Sequence, residues 1–174
     1  EAIEALGHLE RAAELAPMAT GLGSPHGVLA QIAEEQGESE RAMRELEQLL
    51  EHDDTSLDAA RQLAALAEEA GDEARLRFVY ERVIQIDPFD PIPHQSLGRL
   101  ALAAREYDVA ALELRVALAL GPVDRVGVYC DLAETLLAAG DLDGAKRQAL
   151  AALELAPTYE RAQELLLGII EEQP

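Results

Sequence analysis

Residues 91–124 read PIPHQSLGRLALAAREYDVAALELRVALALGPVD, and residues 126–159 read VGVYCDLAETLLAAGDLDGAKRQALAALELAPTY. Set one above the other, the two stretches agree at Leu97-Gly98 and Leu132-Ala133, at Ala110 and Ala145, at Ala117 and Ala152, and at Pro122 and Pro157. The pattern extends outward. Segments close on ELAP (14–17), QIDP (85–88), LALGP (118–122) and LELAP (153–157), and Pro88, Pro122 and Pro157 are 34 and 35 residues apart. A mid-segment marker falls at Gly37, Gly71, Arg105 and Gly140, again 34, 34 and 35 residues apart. Five places after it stand Ala42, Leu76, Ala110 and Ala145. Three markers held in one register over four copies define an internal repeat, the mark of an array in which each unit buries its apolar face on the next.

The unit is helical. Alanine, leucine and glutamate dominate the 174 residues, aromatics make up 3%, and long β-branched runs are absent, so helix is favoured and strand has little support. Apolar residues recur at three- and four-residue spacing. Gly71 and Gly140 suit the left-handed residue that ends a helix, and Asp72 and Asp141 then cap the next one. Ser24-Pro25 and Asp90-Pro91 each pair a cap with proline at the first helical position. Thr55 with Asp58 reads as a capping box with Asp in place of Glu.

These residues resemble the tetratricopeptide-repeat family, whose unit is a helix, a turn and a second helix. The family prefers Leu followed by a small residue at its seventh and eighth positions. Leu29-Ala30, Leu63-Ala64, Leu97-Gly98 and Leu132-Ala133 fill them here. Its later preferences for Ala, Ala and Pro are met by Ala110, Ala117 and Pro122, and by Ala145, Ala152 and Pro157. The resemblance covers essentially the whole chain and implies an all-α solenoid, a right-handed superhelix of antiparallel helix pairs with ten helices. One domain, 1–174, is expected. It holds the second half of a repeat at 1–19, repeats at 23–56, 57–90, 91–124 and 126–159, and a closing helix at 160–172. Ala5, Leu9, Ala12 and Pro17 are in register for the first of these. Starting in mid-repeat, the chain is expected to be a fragment of a longer protein. Small residues are expected where the helices cross, and Leu76 is expected to widen its pair. The connection 17–24, PMATGLGS, is three residues longer than the repeat needs.

The formal net charge of −20 repels phosphate backbones and anionic headgroups, so nucleic acid is not expected as a partner. No apolar run reaches the roughly 20 residues that span a bilayer, so no membrane insertion is expected. Cys130 is the lone cysteine and can form no internal disulfide. Composition points to a bacterial source; the compartment stays open between the cytoplasm, to which the lone thiol leans, and the periplasm.

Catalytic patterns are not apparent. His8, His26, His52 and His94 form no close metal pair, and no phosphate loop, nucleophile set or zinc-type cysteine spacing is present. His26 and His94 share the fourth repeat position, where the family packs a large ring. No cofactor, no metal and no catalytic residue is therefore expected. The resemblance implies a concave groove lined by Gln31, Arg61, Ala65, Gln95, Arg99, Leu102, Cys130, Glu134 and Leu137, continuing to Arg161 and Glu164, that binds a peptide or partner protein. Arg61 and Arg99 stand out in so acidic a chain. They either grip a partner's carboxylate through two hydrogen bonds, or pair within the chain with Glu68, Glu69 or Glu134. The Lys and Asn clamp with which some family members hold chaperone tails is absent, so that ligand is not expected. Two other roles fit: a non-catalytic arm of a larger bacterial protein, a metallopeptidase among them, or self-assembly into a homo-oligomer through the apolar stripe of the N-terminal helix, including Leu6 and Leu9.

Overall fold

A computed structural model describes the backbone of residues 2–172 and the side chains of residues 6–171. Ala5 of the first half-repeat lies outside the described side chains. The described residues form ten α-helices: α1 (Ala2–Leu15), α2 (Pro25–Glu35), α3 (Ser39–His52), α4 (Leu57–Ala70), α5 (Glu73–Ile86), α6 (Pro91–Ala103), α7 (Tyr107–Leu120), α8 (Arg125–Ala138), α9 (Leu142–Leu155) and α10 (Glu160–Glu172).

Local chemistry sets the helix ends. Ser24 and Asp90 cap α2 and α6 by accepting hydrogen bonds from the Gly27 and Ile92 N–H groups, with Pro25 and Pro91 opening the helices. Asp72, Asp124 and Asp141 cap α5, α8 and α9 in the same way. Gly71 ends α4 in the left-handed region at φ 67°. At the matching turn α6 is followed by Arg105, at φ 62°, so a residue with a Cβ holds a place that glycine holds elsewhere. The capping box expected at Thr55 and Asp58 does not form. Ser56 occupies the cap of α4 without a side-chain bond, and the Thr55 hydroxyl instead donates to Asp53, 3.0 Å away. Asp53 lies just beyond α3 and draws Thr55 into a local turn, which removes it from the helix start.

The chain divides into two compact units, Glu1–Pro88 and Phe89–Pro174. In the first, α2 packs with α3 and α4 with α5; in the second, α6 packs with α7 and α8 with α9. Small residues sit where paired helices meet. Ala30, Ala64, Gly98 and Ala133 are buried on the first helices, and Ala42, Ala110 and Ala145 lose all exposure on the second, whereas Leu76 stays half-buried. At Gly98 the approach leaves no room for a side chain, since an added Cβ would stand 2.7 Å from Leu114 Cγ. The second unit's core joins Leu114, Ala117, Val128, Leu132, Leu136, Ala149 and Ile169. Among the described residues no helix is long and apolar enough to cross a membrane.

Candidate functional site

In each unit the first helices of successive repeats are tied to one another through polar side chains. In the N-terminal unit the Gln62 amide on α4 donates to Glu34 on α2, while within α2 Gln31 donates to Glu35 at 3.3 Å. Gln31, Arg61 and Ala65 are exposed here. The surface offers amides, a guanidinium and a small apolar patch.

In the C-terminal unit the tie is ionic and centred on Asp131 of α8, whose side chain is only 4% exposed. Arg99 Nε on α6 donates to Asp131 Oδ2 at 2.7 Å, and Arg161 Nη2 on α10 donates to Oδ1 at 2.7 Å. Arg161 also grips Glu134 with two bonds, of 3.1 and 2.8 Å. A carboxylate removed from water in this way is tolerable because two charge-assisted bonds replace its hydration. Burial also fits the local backbone, since the Thr135 hydroxyl turns inward to the Asp131 carbonyl at 2.8 Å. The Glu134 hydrogen bonds, and then those of Asp131, hold the Arg161 guanidinium firmly protonated.

The sequence singled out Arg99 and Glu134 but not Asp131. Arg99 does pair within the chain, with Asp131 rather than Glu134, and Glu134 takes Arg161. Half of the Arg99 side chain, 51%, still faces solvent. Gln95, Leu102 and Leu137 are half-buried nearby in sequence on α6 and α8, and Glu164 is exposed on α10. Cys130 has no exposed surface and packs with Ala152 and Ala162 behind the helix face. Burial pushes its thiol above the ordinary range, with Arg161 opposing.

The two histidines at the fourth repeat position pack between helices and do more. His26 Nδ1 lies 2.8 Å from Glu45 and His94 Nδ1 lies 2.7 Å from Glu113, each pair joining the two helices of one repeat. Among the described residues no three His, Cys, Asp or Glu side chains come together as a metal site.

On the second helices of the N-terminal unit a different ladder runs. Arg41 on α3 reaches Glu10 on α1 at 2.8 Å. Arg75 on α5 reaches Glu40 and Glu47 on α3 at 2.8 and 2.9 Å, and its own cap Asp72 at 2.9 Å. Glu40 is held below its ordinary range by the Arg75 hydrogen bond first, against desolvation. The long connection 17–24 is moored as well, the Gly21 N–H donating to Asp53 at 2.8 Å.

Comparison with known proteins agrees with this architecture. Residues 126–165 match the tetratricopeptide repeat family. No curated protein sequence matches the chain significantly. Among solved structures, MamA is similar with a TM-score of 0.73 at 18% identity, over 84% of this chain and 79% of that one. The first repeat domain of Spaghetti (RPAP3), bound to the HSP90 peptide SRMEEVD, is similar with a TM-score of 0.60 at 20% identity, over 64% of this chain and 88% of that one. An O-GlcNAc transferase of Thermobaculum terrenum, in a mutant form, gives a TM-score of 0.58 at 31% identity, over 65% of this chain and 22% of that one. Residues 126–165 thus match the tetratricopeptide repeat, and the described residues share the helical solenoid fold of MamA and the RPAP3 domain.

Proposed function

We propose that the chain is a protein-interaction module whose first-helix faces hold a partner protein or an extended peptide. In the C-terminal unit the contacts are Gln95, Arg99, Leu102, Glu134 and Leu137; in the N-terminal unit they are Gln31, Arg61 and Ala65. The observation that carries the reading is Arg99. One edge of its guanidinium is fixed by the buried Asp131 while half of the side chain faces solvent. Its orientation is therefore set before a partner arrives, which lowers the ordering cost of binding. The half-buried Leu102 and Leu137 add apolar area to the polar contact. The similar RPAP3 domain is bound to a peptide, which supports the class of ligand but not its identity.

The test is a pull-down from source-cell extract with three baits of equal helicity: the native chain, a Gln95→Ala, Arg99→Gln double variant, and Leu112→Asp on the exposed side of α7. A partner held by the native and α7 baits and lost by the double variant is the expected result. Equal retention by all three, or none by the native chain, overturns the reading.

A second reading, an arm of a larger enzyme, draws support from the transferase similarity, in which the matched stretch is 22% of that chain. A complete coding sequence in which no catalytic domain adjoins these repeats would remove it.

A further inference from the structure

The N-terminal unit holds a cleft of about 330 Å³ where α1, α2 and α3 meet, with Ala13 and Leu29 in its lining beside Glu10, Glu14 and Gln48. The repeat register shows what belongs there. Both α1 and α3 have 14 residues, and the pair Arg41–Glu10 between α3 and α1 recurs one repeat later as Arg75–Glu47 between α5 and α3. In that same frame Ala13 corresponds to Leu50, and Gln48 to Arg82. At the later junction the chain fills the place itself. Arg82 reaches back from α5, its Nη2 donates to the Leu50 carbonyl at 3.4 Å, its Nε is buried, and its guanidinium carbon stands 6.0 Å from the centre of the Phe78 ring. At the earlier junction the shorter Gln48 leaves the equivalent space open.

The chemistry of the open space suits the same group. The Ala13 carbonyl belongs to the last turn of α1, where carbonyls lack intrahelical partners and the helix dipole is negative. Glu10 is engaged by Arg41 and Glu45 by His26. Among the described residues Glu14 pairs with Arg11 at the surface, both about two-thirds exposed at 65% and 67%, so it is open to exchange. Ala13 and Leu29 give the methylene stem of a long cation an apolar bed. The absence of a three-ligand metal set among the described residues turns the choice toward an organic cation.

We propose that this cleft receives an arginine side chain of a partner protein, in the place that Arg82 occupies one repeat on. The site lies in the N-terminal unit between α1, α2 and α3, is separate from the first-helix contacts described above, and stands or falls without them. The probe is N-acetyl-arginine amide, titrated into the full 174-residue chain and followed by amide NMR. Saturable shifts at Ala13, Leu29 and Gln48 are expected. The citrulline analogue, equal in shape but neutral, should bind about tenfold more weakly or not at all. Gln48→Arg should fill the cleft from within and abolish the titration while helicity is kept. Glu14→Gln, at an exposed position, should weaken binding without touching the fold. Absence of saturation overturns the proposal, as does citrulline binding as tightly as arginine, or an unchanged titration in a folded Gln48→Arg variant. A lysine analogue that binds as tightly overturns the assignment to a guanidinium.

Discussion

The two units use one repeat in opposite ways. In the N-terminal unit arginines bind repeat to repeat across the second helices, Arg41 to Glu10 and Arg75 to Glu40 and Glu47. Between its first helices the Gln62 amide donates to Glu34. In the C-terminal unit the inter-repeat arginines described above stand on the first helices, Arg99 and Arg161 closing on a buried Asp131, while the exposed apolar Val109 holds on α7 the place of Arg41 and Arg75. The fold prescribes the apolar and small positions and leaves the polar ones free. Each repeat can therefore place its inter-repeat charge on either face, and the other face becomes available for recognition.

The comparison predicts unequal costs. Asp131→Asn should have the largest effect. It removes a carboxylate that is itself closed to water from between two guanidiniums, and should destabilise the C-terminal unit by about 2 kcal/mol, discounted for the part-exposed arginines. Urea unfolding with amide exchange in α8 and α10 would measure it, and the loss should change little with salt. Arg75→Ala comes next, at about 1 kcal/mol, since its carboxylate partners are more exposed. Here the loss should shrink as salt is raised, and a salt-independent loss would break the contrast between the units.

A smaller effect is expected at Asp53. Burial disfavours its charged form, but the Gly21 N–H and then the Thr55 hydroxyl and N–H outweigh that and hold its carboxyl below the ordinary range. A folded pKa below the unfolded one means that the stabilisation is fully present above about pH 4, the unfolded value, and is lost as pH falls through the lower folded value. The Gly21 amide shift followed by NMR should report that midpoint, and Asp53→Asn should erase the dependence. Smallest of all is Arg41→Gln, at a few tenths of a kcal/mol, because Glu10 is half exposed. An Arg41 effect as large as that of Asp131 would show that position on the helix, rather than burial, sets the worth of these ladders.

The fold was legible because its signals repeat. Pro88, Pro122 and Pro157, with the markers Arg105 and Gly140 between them, fix the register without any knowledge of contacts. Asp131 was hidden because it is one acid among 34 acidic residues, and nothing local marks it as buried. A usable signal was present in the spacing: Arg99 to Asp131 is 32 residues and Asp131 to Arg161 is 30, each slightly less than one repeat, which places them on adjacent first helices. The cleft was illegible for another reason. It depends on the difference in reach between Gln48 and Arg82, and side-chain length acquires meaning only when the opposing helix is known.

Cys130 gives the molecule a clock of its own. It is the chain's sole thiol, it is sealed between α8, α9 and α10, and burial keeps it in the unreactive protonated form. A thiol reagent in solution can therefore meet it only during those moments when the helices around it part. The rate of labelling, read without any added tag, counts those openings, and a partner that grips the neighbouring helices should make the clock run slow.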